Sequence, residues 1–341
     1  MKSERYDNLD GLRTYAAIGI VMMHVLANGN YNTSGFIFDK LIPSFTNFTC
    51  LFMIVSAFSM CCGYYQRFKN RSIDLEYFYK RRYQKIWPYF AALCTLALIM
   101  SLSPKSVYEY LADLTLAFGF IPNNGIEIIG VGWFLGVVFI FYMLFPFFTF
   151  LISSKKKAWF SFLICLMLNV LCIVRFTDAA NRTVFIYSAV FFMAGGLVYL
   201  YRRHFKRRKI AAITGILAVA FLILEFAGYS LPVDLSWLLI FTTFLIFSIS
   251  IGRNAAFSNK ATSFLNSISM EIYLSHMVIY RLLEKLHMTK LIGGGTASYV
   301  LTVVLVVIGT IVFSLIVKKL LSYIEQKIVE AKEQNNESIN C

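Results

Sequence analysis

Residues 12–28 read LRTYAAIGIVMMHVLAN. A hydrocarbon core is crossed by about 20 apolar residues, and this stretch with its neighbours has that length and character. Charged residues precede it, and no small-residue cleavage site follows a short apolar segment, so it reads as a span and not as a removable signal peptide. Similar runs recur at 45–63, 86–103, 130–152, 158–174, 183–201, 210–227, 235–252, 268–286 and 295–317. The chain has 341 residues, of which 58% are hydrophobic and 15% charged. Soluble proteins carry about 25% charged residues. The expected fold is therefore all-α, a polytopic membrane helix bundle of about ten transmembrane helices. Residues 1–323 form the membrane domain and 324–341 a polar tail that frays. Segment 106–121 is apolar but flanked by Ser-Pro and Pro-Asn-Asn, and is expected to be a re-entrant or interfacial helix.

The formal net charge is +14. The basic residues sit between the apolar runs, which favours topology signals and anionic lipid contacts over nucleic-acid binding. With the N-terminus in the cytoplasm, 25 Lys and Arg fall inside and seven outside. That asymmetry fits the positive-inside rule with both termini cytoplasmic in the cell membrane. Making 106–121 a full crossing would turn Lys155 to Lys157 and the cluster at 202–209 outward, so it is assigned as non-crossing. The seven Cys lie mostly in apolar runs without a C-x-x-C pair, which points to no metal and no disulfide framework. Gly132, Gly136, Gly195 and Gly196 read as helix-packing residues. Gly293 to Gly295 reads as a turn, because neither a strand before nor Lys-Ser after it makes a phosphate loop.

Arg13 and His24 stand out within the first span. Eleven residues at about 100° each bring them onto one face, about 16 Å apart along the axis. A hydrogen-bonded core histidine accounts for His24 alone, and a snorkelling anchor accounts for Arg13 alone. Together they suggest a polar face turned toward a bundle interior. FYKRRYQKIWPYF at 78–90 places Arg81, Arg82 and Lys85 where a span begins; anchoring explains them, and so does phosphate binding. SMEIYLSH at 269–276 places Glu271, a candidate to neutralise an Arg, and His276 about 140° further round the helix.

LDGLRTYAAIGIVMMHV at 9–25 resembles the opening signature of the membrane-bound acyltransferase family 3, an Arg and a His separated by ten residues in the first span. LFMIVSAFSM at 51–60 is similar to its second span, with Ala57 where Gly is usual. FYKRRYQKIWPYF resembles its R-R-x-x-R-I-x-P stretch, with Lys85 at the second Arg position. GWFLGVVFIFYMLFP at 132–146 and ISMEIYLSHMVI at 268–279 resemble two later spans, and the resemblance covers roughly residues 5–320. It implies a stand-alone O-acyltransferase that takes an acyl group, usually acetyl, from cytoplasmic acyl-CoA (acetyl-CoA) and delivers it to a glycan or a lipid-linked sugar.

On that reading His24 is the general base that accepts the proton of a sugar hydroxyl; direct transfer and an acyl-histidine relay both remain open. Arg13, Arg82 and Lys85, with Arg81 beside them, hold the donor phosphates. Lys85 supplies charge without the bidentate fork of Arg. Asp10 is a candidate to orient or pair with a neighbouring base, although capping of the first helix is the simpler reading. Trp133, Tyr64, Tyr142, Glu271 and His276 are candidates for the substrate path. The rivals are transfer of succinyl or a longer group to another acceptor, and a polysaccharide exporter. No internal repeat of the transporter kind is present.

Overall fold

The computed structural model describes residues 5–120, 128–175, 183–229, 231, 234–288 and 293–339. Lys2, Arg182, Lys290 and Cys341 lie outside these residues, as do the side chains of Arg175 and Lys332. The described residues form thirteen helices and no strand: α1 (Asn8–Asn28), α2 (Ile37–Lys69), α3 (Leu75–Met100), α4 (Pro104–Leu114), α5 (Trp133–Met143), α6 (Phe145–Leu151), α7 (Lys155–Arg175), α8 (Phe185–Phe205), α9 (Arg208–Phe226), α10 (Leu235–Ser250), α11 (Lys260–Ser267), α12 (Ser269–Lys285) and α13 (Thr296–Ile339).

Six of these are long and apolar enough to cross a membrane, or seven if the bent pair α5 and α6 counts as one span. The other expected spans are also helical. Helix α3 carries Lys80 to Lys85 in its first half, α10 has only 16 residues, and α12 contains Glu271 and Lys285. Together they account for all ten runs. Helix α4, with 11 residues, is too short to cross at about 1.5 Å per residue, in agreement with its assignment as non-crossing.

Local sequence chemistry sets several boundaries. Asp74 caps α3 by accepting from the Tyr77 amide at 2.9 Å, and Ser103 caps α4 by accepting from the Ser106 amide at 3.0 Å. Asn259 and Thr262 form a capping box on α11. Pro146 has no N–H to continue a helical ladder, and α5 and α6 meet at a 62° bend just before it. Gly293 and Gly295 take positive φ in the turn before α13, and the Gly295 N–H donates to the Tyr31 carbonyl at 2.5 Å. At the other end α13 runs without a break past residue 323, through Ile339.

Helices α1, α2 and α8 are mostly buried, whereas α7, α9 and α13 expose most of their apolar side chains. Broad apolar faces of this kind suit lipid, and the protein is a membrane protein. In lipid, helices gain little from hydrophobic burial between themselves, so close approach of small residues matters more. A Cβ on Gly195 of α8 would run into the Ile54 carbonyl of α2 and lie 2.8 Å from the Ala57 Cβ. Gly195→Val is therefore expected to push α8 off α2 and to destabilise the bundle by about 1–3 kcal/mol or more. A lowered unfolding temperature in detergent, with less protein recovered, checks this.

The start of α1 is tied to the end of α10. Asn8 donates from Nδ2 to the Ser248 carbonyl at 2.7 Å and accepts from the Asn254 amide at 3.0 Å. Gly11 lets the Phe257 backbone sit where a Cβ would otherwise be. This joint fixes how α1 presents its polar face.

Candidate active site

Helix α1 presents Arg13 and His24 to two different neighbourhoods. Arg13 donates to Ser59 Oγ of α2 at 2.5 Å and lines a cavity of about 1220 Å³. Arg82 and Lys85 of α3, Tyr64 of α2, Tyr142 of α5, Glu271 of α12 and Lys318 of α13 line it as well. Arg82 donates to Tyr64 Oη at 2.5 Å, and its guanidinium lies 4.8 Å from the Tyr64 ring centroid and 5.7 Å from that of Tyr142. Its Nε is buried without a hydrogen bond. Lys85 makes no hydrogen bond or ion pair among the described residues. Cations thus outnumber carboxylates on this wall, and Lys85 keeps its donors free for an anionic ligand.

Glu271 does not pair with an arginine as expected; its partner is Lys318, at 2.9 Å. In the sequence Lys318 is simply one of the basic residues that follow the last apolar run. Its place at the end of that run, an end the charge asymmetry predicts to be cytoplasmic, is the available clue, since the same asymmetry predicts that side for Arg82 and Lys85. Ile324 and Ile328, in the expected tail, also line the cavity.

Three sequence candidates lie elsewhere. Arg81 is on the exposed side of α3 and donates to Tyr77 Oη at 2.8 Å. It is one residue from Arg82, and about 100° of helix rotation turns it away from the cavity. Trp133 packs edge-on against Phe134 at 5.8 Å and does not line the cavity. Asp10 does not cap α1: the N-cap is Asp7, which makes no side-chain cap. Asp10 instead accepts from Arg5 at 3.1 Å and from Asn266 at 2.8 Å. At 14 residues from His24 it is about 21 Å away along the axis.

His24 meets His276 of α12. His24 Nδ1 and His276 Nε2 are 3.2 Å apart, and the ring centroids 4.9 Å. His24 Nδ1 also lies 3.1 Å from the Ile20 carbonyl oxygen, and His276 Nδ1 is 2.6 Å from that of Tyr273. His276 is fully buried, whereas His24 is half-buried. Neither histidine lines the cavity, whose walls include Phe52, Phe134 and Tyr273. The Tyr273 ring is 6.0 Å from His276 and 5.2 Å from Phe134, and its hydroxyl donates to the Val131 carbonyl at 3.0 Å. Aromatic rings therefore stand between the basic cavity and the histidine pair. On the far side, Asn28 donates to the His24 carbonyl at 2.9 Å. Arg281 bridges Asn28 at 3.0 Å and Glu284 at 2.8 Å.

A polytopic helical membrane protein with a cation-lined cavity and a buried histidine pair is the class these features define. A family model described as an acyltransferase domain matches residues 6–319, and the chain belongs to acyltransferase family 3. It is an acyltransferase. No curated protein and no solved structure shows a significant match.

Proposed function

We propose that this enzyme is a membrane-bound O-acyltransferase. It carries an acyl group, most simply acetyl, from cytoplasmic acyl-CoA to a hydroxyl of a cell-surface or lipid-linked glycan. The observation that carries this reading is the basic cavity ending at aromatic rings beside a histidine pair. Arg13, Arg82, Lys85 and Lys318 supply charge for the nucleotide and pyrophosphate end of the donor. The thioester arm reaches inward past Phe52, Phe134 and Tyr273. His24 then acts as the general base. The acceptor hydroxyl attacks the thioester carbonyl carbon, its proton passes to His24, and the carbon–sulfur bond breaks as the thiolate leaves. Asn28, Arg281 and Glu284 offer hydrogen bonds to a sugar on the acceptor side.

The purified protein in detergent, given radiolabelled acetyl-CoA and a glycan acceptor, is expected to transfer label without any gradient. An exporter would not. With both termini cytoplasmic, in the cell membrane, a reporter fused after Phe205 is expected to give its cytoplasmic signal. An external signal would overturn this topology. Phe134→Ala is expected to widen the passage and to raise use of propionyl- or butyryl-CoA relative to acetyl-CoA, read as a ratio of kcat/KM values. An unchanged ratio would remove Phe134 from the acyl path.

A further inference from the structure

The contacts of the two histidines determine where their protons lie. A carbonyl oxygen only accepts, so the 2.6 Å contact to Tyr273 places a proton on Nδ1 of His276. In a neutral imidazole the other nitrogen then carries the lone pair, which makes Nε2 of His276 an acceptor. Facing it at 3.2 Å is Nδ1 of His24, which also lies 3.1 Å from the Ile20 carbonyl oxygen. Both neighbours of that atom are acceptors, so Nδ1 of His24 carries the proton. The lone pair of neutral His24 is then on Nε2, a nitrogen with no hydrogen bond among the described residues. No carboxylate orients either ring within hydrogen-bonding distance among those residues; an imidazole occupies that role.

We propose that His276 is the positioning residue of acyl transfer: its Nε2 holds His24 in the Nδ1–H tautomer and keeps the basic Nε2 free for the acceptor hydroxyl. This rests on the reading of His24 as base. When the acceptor oxygen bonds to the thioester carbon, its proton goes to Nε2 of His24, and the imidazolium that forms donates more strongly from Nδ1 to His276. As the carbon–sulfur bond breaks, that same proton passes to the departing thiolate. The Nδ1 proton stays between the two rings throughout, and His276 touches no reacting atom. His276 lies 252 positions from His24 in sequence, and its burial leaves it no role in contacting solvent.

Two substitutions separate this from a structural role. His276→Asn keeps an amide N–H near the Tyr273 carbonyl but has no acceptor that reaches His24. His276→Gln places an amide oxygen near the position of Nε2. The full chain, labelled with [15N]histidine in detergent, has four histidines, and single replacements assign their resonances. In the unsubstituted protein His24 is expected to show a protonated Nδ1 and an unprotonated Nε2. His276→Asn is expected to give a mixture of tautomers and His276→Gln to restore the single form.

With [14C]acetyl-CoA as donor and the glycans of the producing cell's own membranes as acceptor, His276→Asn is expected to lower kcat by about 10- to 100-fold, the range for one hydrogen bond to a charged group. The KM for acetyl-CoA stays unchanged, and His276→Gln recovers most of the rate. A single Nδ1–H form of His24 in His276→Asn, or a full rate in that variant, overturns the proposal. Full transfer by His24→Ala would instead remove the base reading while leaving the tautomer result standing.

Discussion

Replacement of His24 by Ala will lower acyl transfer by about 10²- to 10⁴-fold, the range that a positioned general base contributes. A sugar hydroxyl is a weak nucleophile near neutral pH, and His24 stands beyond the aromatic rings that end the basic cavity, with its Nε2 unengaged among the described residues. The fold should survive. His24 is half-buried, and among the described residues the hydrogen bonds of its side chain are those to Ile20 and His276. The comparison is label incorporated per mole of protein, at equal protein levels in the membrane. Transfer at the ordinary rate by well-folded His24→Ala protein would remove this residue from the chemistry. A rate that returns on adding imidazole would support the role directly.

The second large effect is expected at the donor end. Arg82→Ala combined with Lys85→Ala will raise the KM for acetyl-CoA by about 100-fold or more, because each charge-assisted hydrogen bond to phosphate contributes about 1.5–3 kcal/mol. At saturating donor kcat should change little, since neither side chain lies beside the histidine pair. Arg82 is already held by Tyr64 and sits near the Tyr142 ring, so it is the preorganised member. Lys85 is unpaired among the described residues and adds charge. Lys85→Arg should keep the low KM, and Arg81→Ala should leave it unchanged because Arg81 faces Tyr77. A KM equal to that of the unsubstituted protein in the double variant would show that the donor binds elsewhere.

The difference between Arg81 and Arg82 shows where a one-dimensional reading stops. Both belong to the same basic cluster and both suit phosphate. Neighbouring helical positions differ by about 100°, and which of them faces the cavity depends on how α3 is rotated against α2 and α5. That rotation is set by packing partners such as Tyr64 and Tyr142, which come from other helices. Asp10 illustrates the same limit. It is near the helix start, where capping is common, but Asn266 of α11 reaches it from 256 positions away.

The run of apolar residues fixed the class of fold, because about 20 apolar residues can be satisfied only in lipid or in a large core. Charge between the runs identified segment 106–121 as non-crossing, and helical periodicity alone placed Arg13 and His24 on one face. These are local properties of the chain. The meeting of His24 with His276, the pairing of Glu271 with Lys318 and the aromatic rings at Phe52, Phe134 and Tyr273 were decided only by tertiary structure. Each joins residues from different helices. Their contact depends on crossing geometry set by close approaches such as Gly195 on Ile54 and Gly11 on Phe257, and no local window of sequence contains both sides of such an approach.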